Sequence, residues 1–400
     1  MNEEHGEGGT IPLDETVFAK AALSRFLRYV TIDTQSDHGK EATPTTEGQW
    51  ELAKLLAEEC RSLGLAETDV ELTDHCYVIA RLPASAGNER SPVIGFLAHL
   101  DTSADVSGKN VKPIVEESGG TTVVRTDGTT LLGADDKAGI AVIMTAAEYL
   151  LAHGEIKHGP LEFIFSPDEE TGKGLPCFPL EKIRAQACYT LDGGARGEVE
   201  TECFNAWKAE VRFKGRVIHL GQARGELANA ALMAASFAAM LPRAESPEAS
   251  DGRYGYYCLA GIKGDLETAE LAVLIRDFDA ARGRERAAAL DCFARAVEAQ
   301  FPGGTVSVES KVQYTNMKDK IDEQPCVRGK LLQAADNLGI TVMEKPIRGG
   351  TDGSRLTELG IPTPNIFAGG RNFHSVSEWL SVSDMAASCA LMLELIRLWA

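Results

Sequence analysis

Five short segments concentrate the residues that could do chemistry: His99-Leu100-Asp101, Gly133-Ala134-Asp135-Asp136-Lys137, Asp168-Glu169-Glu170, Asp192-Gly193-Gly194 and His374. Imidazole and carboxylate without thiolate form a donor set suited to hydrolytic zinc, or to manganese or cobalt. Two histidines with three carboxylates exceed one tetrahedral shell and match two ions sharing a bridging carboxylate. The chemistry of such a pair is metal-assisted hydrolysis. Asp101, two residues from His99, is placed to accept the second ring proton of that histidine. In an extended chain Glu169 and Glu170 point in opposite directions, so one would bind metal while the other faces the water.

Each segment alone has a plainer reading. A histidine two residues before an aspartate is commonly a hydrogen-bonded loop residue. Asp135-Asp136 reads as a double helix cap, Glu169-Glu170 as a solvated charge run, and Asp192-Gly193-Gly194 as a turn. Their coincidence argues against capping and solvation as the explanation. Four of the five follow predicted strands: Val93–Ala98, Leu161–Ser166, Cys188–Leu191 and Asn365–Phe367. In open α/β sheets ligands bind beyond the carboxyl ends of the strands, so residues distant in sequence would converge on one rim. Asp135 is expected instead to open a helix, whose positive dipole end favours a carboxylate.

The elements that must position these residues alternate. Helical spacing runs over Glu15–Tyr29, Glu47–Leu63 and Gly139–Leu151, and strand patterns over Tyr77–Leu82, Val93–Ala98, Leu161–Phe165 and Cys188–Leu191. Apolar strands alternating with helices predict an α/β layer covered on both faces. From Asn205 the order changes. A strand over Ala206–Gly215, a helix over Glu226–Leu241, a strand pair over Tyr256–Ile262 and Ala269–Asp277, a helix over Ala280–Gln300 and a strand over Thr305–Val312 follow one another. That β-α-β-β-α-β order is ferredoxin-like. A helix (Gln324–Leu338) and short strands (Val342–Pro346, Pro364–Phe367) then resume the first pattern. The expected organisation is one mixed-sheet α/β/α domain, residues 1–204 and 314–400, interrupted by an inserted ferredoxin-like α+β domain at 205–313.

The 400 residues carry 40 Lys and Arg against 59 Asp and Glu, a formal charge of −19 that disfavours nucleic acid and anionic membrane as partners. Nine scattered cysteines without a C-x-x-C pair predict reduced thiols and a cytoplasmic location. The N-terminal MNEEHGEGGTIPLDE lacks the basic region and apolar core of a signal peptide, and no segment is apolar for long enough to span a bilayer.

At the chemical segments the chain resembles the dinuclear zinc peptidases that include glutamate carboxypeptidase, aminoacylase and the bacterial aminotripeptidases. The aminotripeptidase resemblance is the closest and covers nearly the whole chain. It rests on HLDTSADVSGKNV from His99, LLGADDKAGIA from Leu131, PDEETGKG from Pro167, TLDGG from Thr190 and PIRGGTDG from Pro346. The resemblance implies an α/β/α catalytic domain with the insertion as lid and dimerisation domain, the latter route giving a homodimer. It implies two divalent ions, zinc with cobalt or manganese as alternatives. Asp135 would bridge them, with His99 and Asp192 completing one shell and Glu170 and His374 the other. Glu169 resembles the general base, Asp101 the orienting carboxylate and His219 an oxyanion-stabilising histidine from the insertion. Arg348 resembles an anchor for a substrate carboxylate and Arg276 a further pocket residue. If it instead braces its loop, Arg348 would pair with Asp352. The implied activity is hydrolysis of the N-terminal residue from short peptides, tripeptides in particular. A related dipeptidase, carboxypeptidase or N-acyl amino acid deacylase is the alternative, and an inactive binding protein the remote one. The chain departs from the family pattern at Leu220, where proline usually follows the histidine. It also departs in a shorter stretch between Lys112 and Leu131, and in the Ser-Val-Ser-Glu run after His374.

Overall fold

The computed structural model describes residues 16–400, which fall into two compact units. The first holds the described residues up to Thr201 together with Asp319–Lys345 and Thr351–Ala400; the second holds Glu202–Lys318 and Pro346–Gly350. The short return of Pro346–Gly350, which carries Arg348, lies outside the boundaries expected for the insertion.

An eight-stranded mixed sheet organises the first unit. Its order is Val70–Leu72, Val78–Leu82, Leu161–Ser166, Ile94–His99, Ala187–Gly193, Asn365–Phe367, Glu198–Glu200 and Met343–Glu344. The four strands from Leu161–Ser166 to Asn365–Phe367 run parallel to one another, and the strands flanking them on either side are antiparallel to them. Ile94–His99 and Leu161–Ser166 are buried at every residue, which explains why they read as continuous apolar runs rather than alternating ones. Helices Thr16–Tyr29, Ala134–Ala152 and Val382–Trp399 pack together, the second of them also against the central strands. Ala134–Ala152 is buried almost all round, so its sequence shows little amphipathic contrast. Each buried Ile, Leu or Phe of this core contributes roughly 1.5–3 kcal/mol of transfer free energy. A smaller cluster including Tyr77, Leu97, Ile164, Phe178 and Leu356 forms a second core in the same unit.

Because the central strands are parallel, their carboxyl ends share one edge. His99 ends its strand, Asp168 follows Ser166 by two residues and Asp192 is the penultimate residue of its strand. Gly139 lets the Ala134–Ala152 helix approach this edge, since a Cβ there would lie 2.3 Å from the carbonyl oxygen of Leu191. The stretch between Lys112 and Leu131, shorter than the family pattern, contains a hairpin of Ile114–Ser118 and Thr121–Arg125. It joins Trp379–Ser381 and Gly370–Arg371 in a second, four-stranded sheet. Gly119 and Gly120, both at positive φ, close the two-residue turn that this hairpin requires.

The second unit is a four-stranded antiparallel sheet in the order Tyr256–Gly264, Thr268–Asp277, Asn205–Lys214, Thr305–Tyr314, with helices Ala230–Met240 and Ala280–Gln300 packed on it. This is the expected ferredoxin-like arrangement. Trp207, Ala209, Val211 and Phe213 face its core, while Lys208, Arg212 and Lys214 alternate outward. The first helix starts four residues later than its sequence pattern suggests. Ala228 is spent on a two-way backbone bridge to Arg216, and Asn229 then caps the helix through the N–H of Leu232. The helix expected from Glu15 is seen from Thr16; Glu15 and the N-terminal segment read for a signal peptide lie outside the described residues. Among the described residues no helix is long and apolar enough to cross a membrane.

Candidate metal centre

The first unit brings His99, Asp101, Asp135, Glu169, Glu170, Asp192 and His374 together. The His99 ring is buried, with Nε2 at 2.8 Å from Asp135 Oδ1 and 3.6 Å from Asp192 Oδ1. Its Nδ1 faces only acceptors on Asp101, the carbonyl oxygen at 3.1 Å and the carboxylate at 3.3 Å. That environment places the proton on Nδ1 and turns Nε2 toward the carboxylates. Burial alone would lower the basicity of His99, but the hydrogen bonds with Asp101, Asp135 and Asp192 prevail and raise it well above the ordinary imidazole range. Asp101 does more than orient the ring. One of its carboxylate oxygens accepts the N–H of Glu169 at 3.0 Å and the other that of Glu170 at 3.2 Å, which pins the backbone of both glutamates.

Asp135 stands between the two histidines, Oδ1 toward His99 and Oδ2 at 3.4 Å from His374 Nε2. Burial pushes its carboxyl upward, yet the hydrogen bonds from His374 and His99 outweigh burial and hold it below the usual range. The expected dipole argument does not hold at this residue. Asp135 (φ −86°, ψ 103°) and Asp136 (φ −122°, ψ 33°) both leave helical geometry, and regular helix begins beyond them. Asp136 performs the capping that the doublet suggested, accepting the N–H of Gly139 at 3.1 Å and that of His99 at 3.2 Å. Its carboxylate lies within 4.8 Å of His99 and Asp192, but both of its oxygens are engaged by the backbone.

Glu170 Oε2 is 3.0 Å from His374 Nε2, while its Oε1 is buried without a hydrogen-bond partner. Burial and the Asp135 charge push Glu170 up to about 7; burial and the same charge do so for Asp192. His374 has φ 56° and donates through Nδ1 to Asp105 Oδ2 at 3.0 Å. Its hydrogen bonds with Asp135 and Glu170 raise it to about 11. The Glu169 carboxylate makes no hydrogen bond among the described residues, and burial drives it well above the usual carboxylate range. Glu169 and Glu170 do not lie in extended chain, as the alternation argument assumed. Asp168 is left-handed at φ 55°, and the N–H of Gly172 returns to the Glu169 carbonyl, so the pair occupies a turn. Their side chains nonetheless divide, Glu170 toward His374 and Glu169 unbonded.

These residues fit a pair of cations. The carboxylates outnumber the imidazoles, and His99, Asp135 and Glu170 present ligand atoms all within 4.8 Å of one another. Like charges so spaced repel by roughly 3–4 kcal/mol at an effective dielectric constant of about 20. Bound cations would neutralise that repulsion and satisfy the orphaned Glu170 Oε1. Two supporting roles, those of Asp168 and Asp105, have no counterpart in the roles expected from the sequence. Asp168, fully buried, accepts from the Thr45 N–H (2.8 Å), the Thr45 hydroxyl (2.6 Å) and Gln49 Nε2 (2.7 Å), anchoring the glutamate turn. Asp105 braces His374 as described above. Only their positions within the motif runs could have flagged them.

His219, Arg276 and Arg348 belong to the second unit. His219 is exposed, and its Nδ1 accepts the N–H of Gly221 at 3.2 Å, which leaves the ring proton on Nε2. Arg276 gives Nη1 to the carbonyls of Trp207 and Ile275 and lies over the Tyr314 ring. Arg348 does not pair with Asp352, whose carboxylate instead accepts the Ser166 hydroxyl. Its Nη1 donates to the carbonyls of Gly252 and Tyr254, its Nη2 to the carbonyl and hydroxyl of Ser250, and its guanidinium packs on Phe204 and Tyr256.

Residues 95–398 match the family model described as Peptidase family M20/M25/M40. The chain is 43% identical to Peptidase T of Geobacillus thermodenitrificans over 404 aligned positions, covering 94% of this chain and 98% of the relative. Its fold resembles the aminopeptidase PepT from Bacillus cereus (TM-score 0.77, 24% identity, 95% and 98% of the two chains). It also resembles the Bacillus subtilis YXEP protein, described as a dinuclear metal binding peptidase from the M20 family (TM-score 0.67, 15% identity, 96% and 98%).

Proposed function

The chain belongs to peptidase family M20/M25/M40, and on that footing we propose that it is a metallo-exopeptidase removing the N-terminal residue from short peptides, tripeptides above all. The observation that carries this reading is the Asp135 carboxylate, one oxygen turned to His99 and the other to His374, in a chain alignable to Peptidase T along nearly its whole length. Two divalent ions, zinc by the donor set with cobalt or manganese as alternatives, would supply Lewis acidity toward water and the scissile carbonyl. His99 and Asp192 would hold one, Glu170 and His374 the other, with Asp135 shared.

The remaining chemistry falls to side chains of the protein. Glu169 is free to take the proton of the attacking water and return it to the leaving amine. Burial already raises its proton affinity, which suits a base that must next act as an acid. Asp101 keeps His99 in the required tautomer and fixes the Glu169 backbone. His219 carries its proton on Nε2, so it can donate to an oxyanion. His219→Ala is expected to lower kcat by on the order of a hundredfold to a thousandfold, with a smaller change in KM. Steady-state kinetics on a tripeptide measures this, and an unchanged kcat would reduce His219 to a turn residue.

Arg348 spends four N–H groups on residues 250–254, so we assign it to bracing that loop. Arg276 commits only Nη1 to backbone carbonyls and is the better candidate for a substrate carboxylate. Exposed Leu220, Leu232, Ile262 and Val312 on the second unit support the homodimer expected through the insertion, and scattered cysteines without a C-x-x-C pair support a cytoplasmic location.

A substrate panel tests the activity: a free tripeptide, its N-acetyl and C-terminal amide forms, dipeptides and N-acyl amino acids, each with zinc, cobalt or manganese. The free tripeptide should be cleaved fastest and the N-acetyl form not at all. Amidation should lower kcat/KM at least about tenfold, because one charge-assisted hydrogen bond contributes about 1.5–3 kcal/mol. Rapid cleavage of N-acyl amino acids without tripeptide hydrolysis would replace this reading with a deacylase.

A further inference from the structure

Glu378 is nearly inaccessible, at 2% exposure, and forms no ion pair among the described residues. Burying a carboxylate without a cation is costly unless its oxygens are hydrogen-bonded. Here Oε2 accepts the N–H groups of Leu132 (2.7 Å) and Gly133 (2.9 Å), and Oε1 accepts that of Asp135 (3.1 Å). The three donors belong to one short irregular segment. Gly133 has φ 81°, and Asp135 and Asp136 are non-helical, so their N–H groups precede the first regular helical bonds and need partners from elsewhere. The buried Lys137, two residues beyond Asp135, directs Nζ to the Ile32 carbonyl at 2.7 Å.

The carboxylate that caps this segment comes from a loop some 240 residues away in sequence. Glu378 lies four residues beyond His374, in a turn where its own N–H returns to the carbonyl of Ser375 at 3.2 Å. One side chain thus ties the backbone of Asp135 to the turn presenting His374, whose side chains approach to 3.4 Å. We propose that Glu378 is a positioning residue of the metal centre, setting the separation of Asp135 and His374 and with it the affinity for the ion that those two side chains share. The proposal rests on the reading of the site as a two-ion centre. Glu378 touches neither substrate nor reacting atoms in this role; it acts through the Asp135 backbone.

Cobalt(II) titration of the chelator-stripped full-length protein tests it, followed by visible absorption and by competition with a chromophoric chelator. Outer carboxylates of metal sites typically govern affinity by ten- to a hundredfold. E378A should therefore weaken one of the two cobalt sites by at least about tenfold and alter its d–d spectrum. E378Q covers the case in which E378A does not fold. Its single oxygen can keep Leu132 and Gly133, but its amide would face the Asp135 N–H donor to donor. It should keep the melting temperature of the stripped protein close to wild type and still weaken the same cobalt site. Wild-type affinities and spectrum in E378Q, or in a folded E378A with only a lower melting temperature, would overturn the proposal and leave Glu378 a structural brace. Wild-type protein that took up no cobalt would instead overturn the two-ion reading itself.

Discussion

Glutamine in place of Glu169 is expected to lower kcat by on the order of a hundredfold to ten-thousandfold while metal content and fold stay near wild type. The substitution preserves size and hydrogen-bonding capacity but cannot accept a proton. The Glu169 carboxylate makes no hydrogen bond to any described residue, so no such bond is lost with its charge. Its backbone also remains held, because the bond to Asp101 comes from the Glu169 N–H rather than the side chain. Glu170→Gln provides the contrast. Glu170 faces His374 at 3.0 Å and keeps an orphaned buried oxygen, the signature of a ligand rather than a base. Its glutamine variant should lose metal affinity first and activity as a consequence, recoverable by raising the metal concentration. Kinetics and elemental analysis on the two variants separate the roles, and exchanged phenotypes would show them to be reversed.

Stripping the protein with a chelator is expected to abolish peptidase turnover, and restoration should require close to two equivalents of zinc, cobalt or manganese. The ligand set exceeds one tetrahedral shell, and without cations burial and the Asp135 charge make its carboxylates resist ionisation, as the upward displacement of Glu170 and Asp192 to about 7 reflects. Filling the site should also stabilise the fold by mass action, about 4 kcal/mol at a free concentration a thousandfold above Kd. Calorimetry of the stripped and reloaded protein should therefore show a rise in Tm alongside recovered activity. Full activity with one equivalent would reject the two-ion mechanism, and full activity after exhaustive stripping would reject metal catalysis.

The chemical residues and the fold class were legible in the sequence for a physical reason. Parallel strands buried on both faces are continuous apolar runs, and their carboxyl ends must share an edge, so His99, Asp168–Glu170 and Asp192 could be assigned to one rim from pattern alone. The ferredoxin-like insertion was legible because its strands alternate and its helices are separated by clear turns. Local pattern misled where the backbone departs from its nearest regular form. Asp135 looked like a helix opener but sits in non-helical geometry, and Glu169-Glu170 looked extended but lies in a turn begun by a left-handed Asp168. The hairpin after Lys112 went unread although Gly119-Gly120 between β-branched runs carried its signal.

What only the tertiary structure decided is which backbone groups lack local partners and which distant side chains supply them. Asp101 holding two glutamate N–H groups, Asp168 holding Thr45 and Gln49, and Glu378 holding the Asp135 segment are all long-range pairings. Arg348 illustrates the same point, since neither Asp352 nor a free guanidinium but the carbonyls of residues 250–254 meet it. A ligand is chosen by its own chemistry, which the residue type states outright. The brace behind it is chosen by an unsatisfied N–H or carbonyl that every residue type shares, so its identity emerges only when the chain has folded.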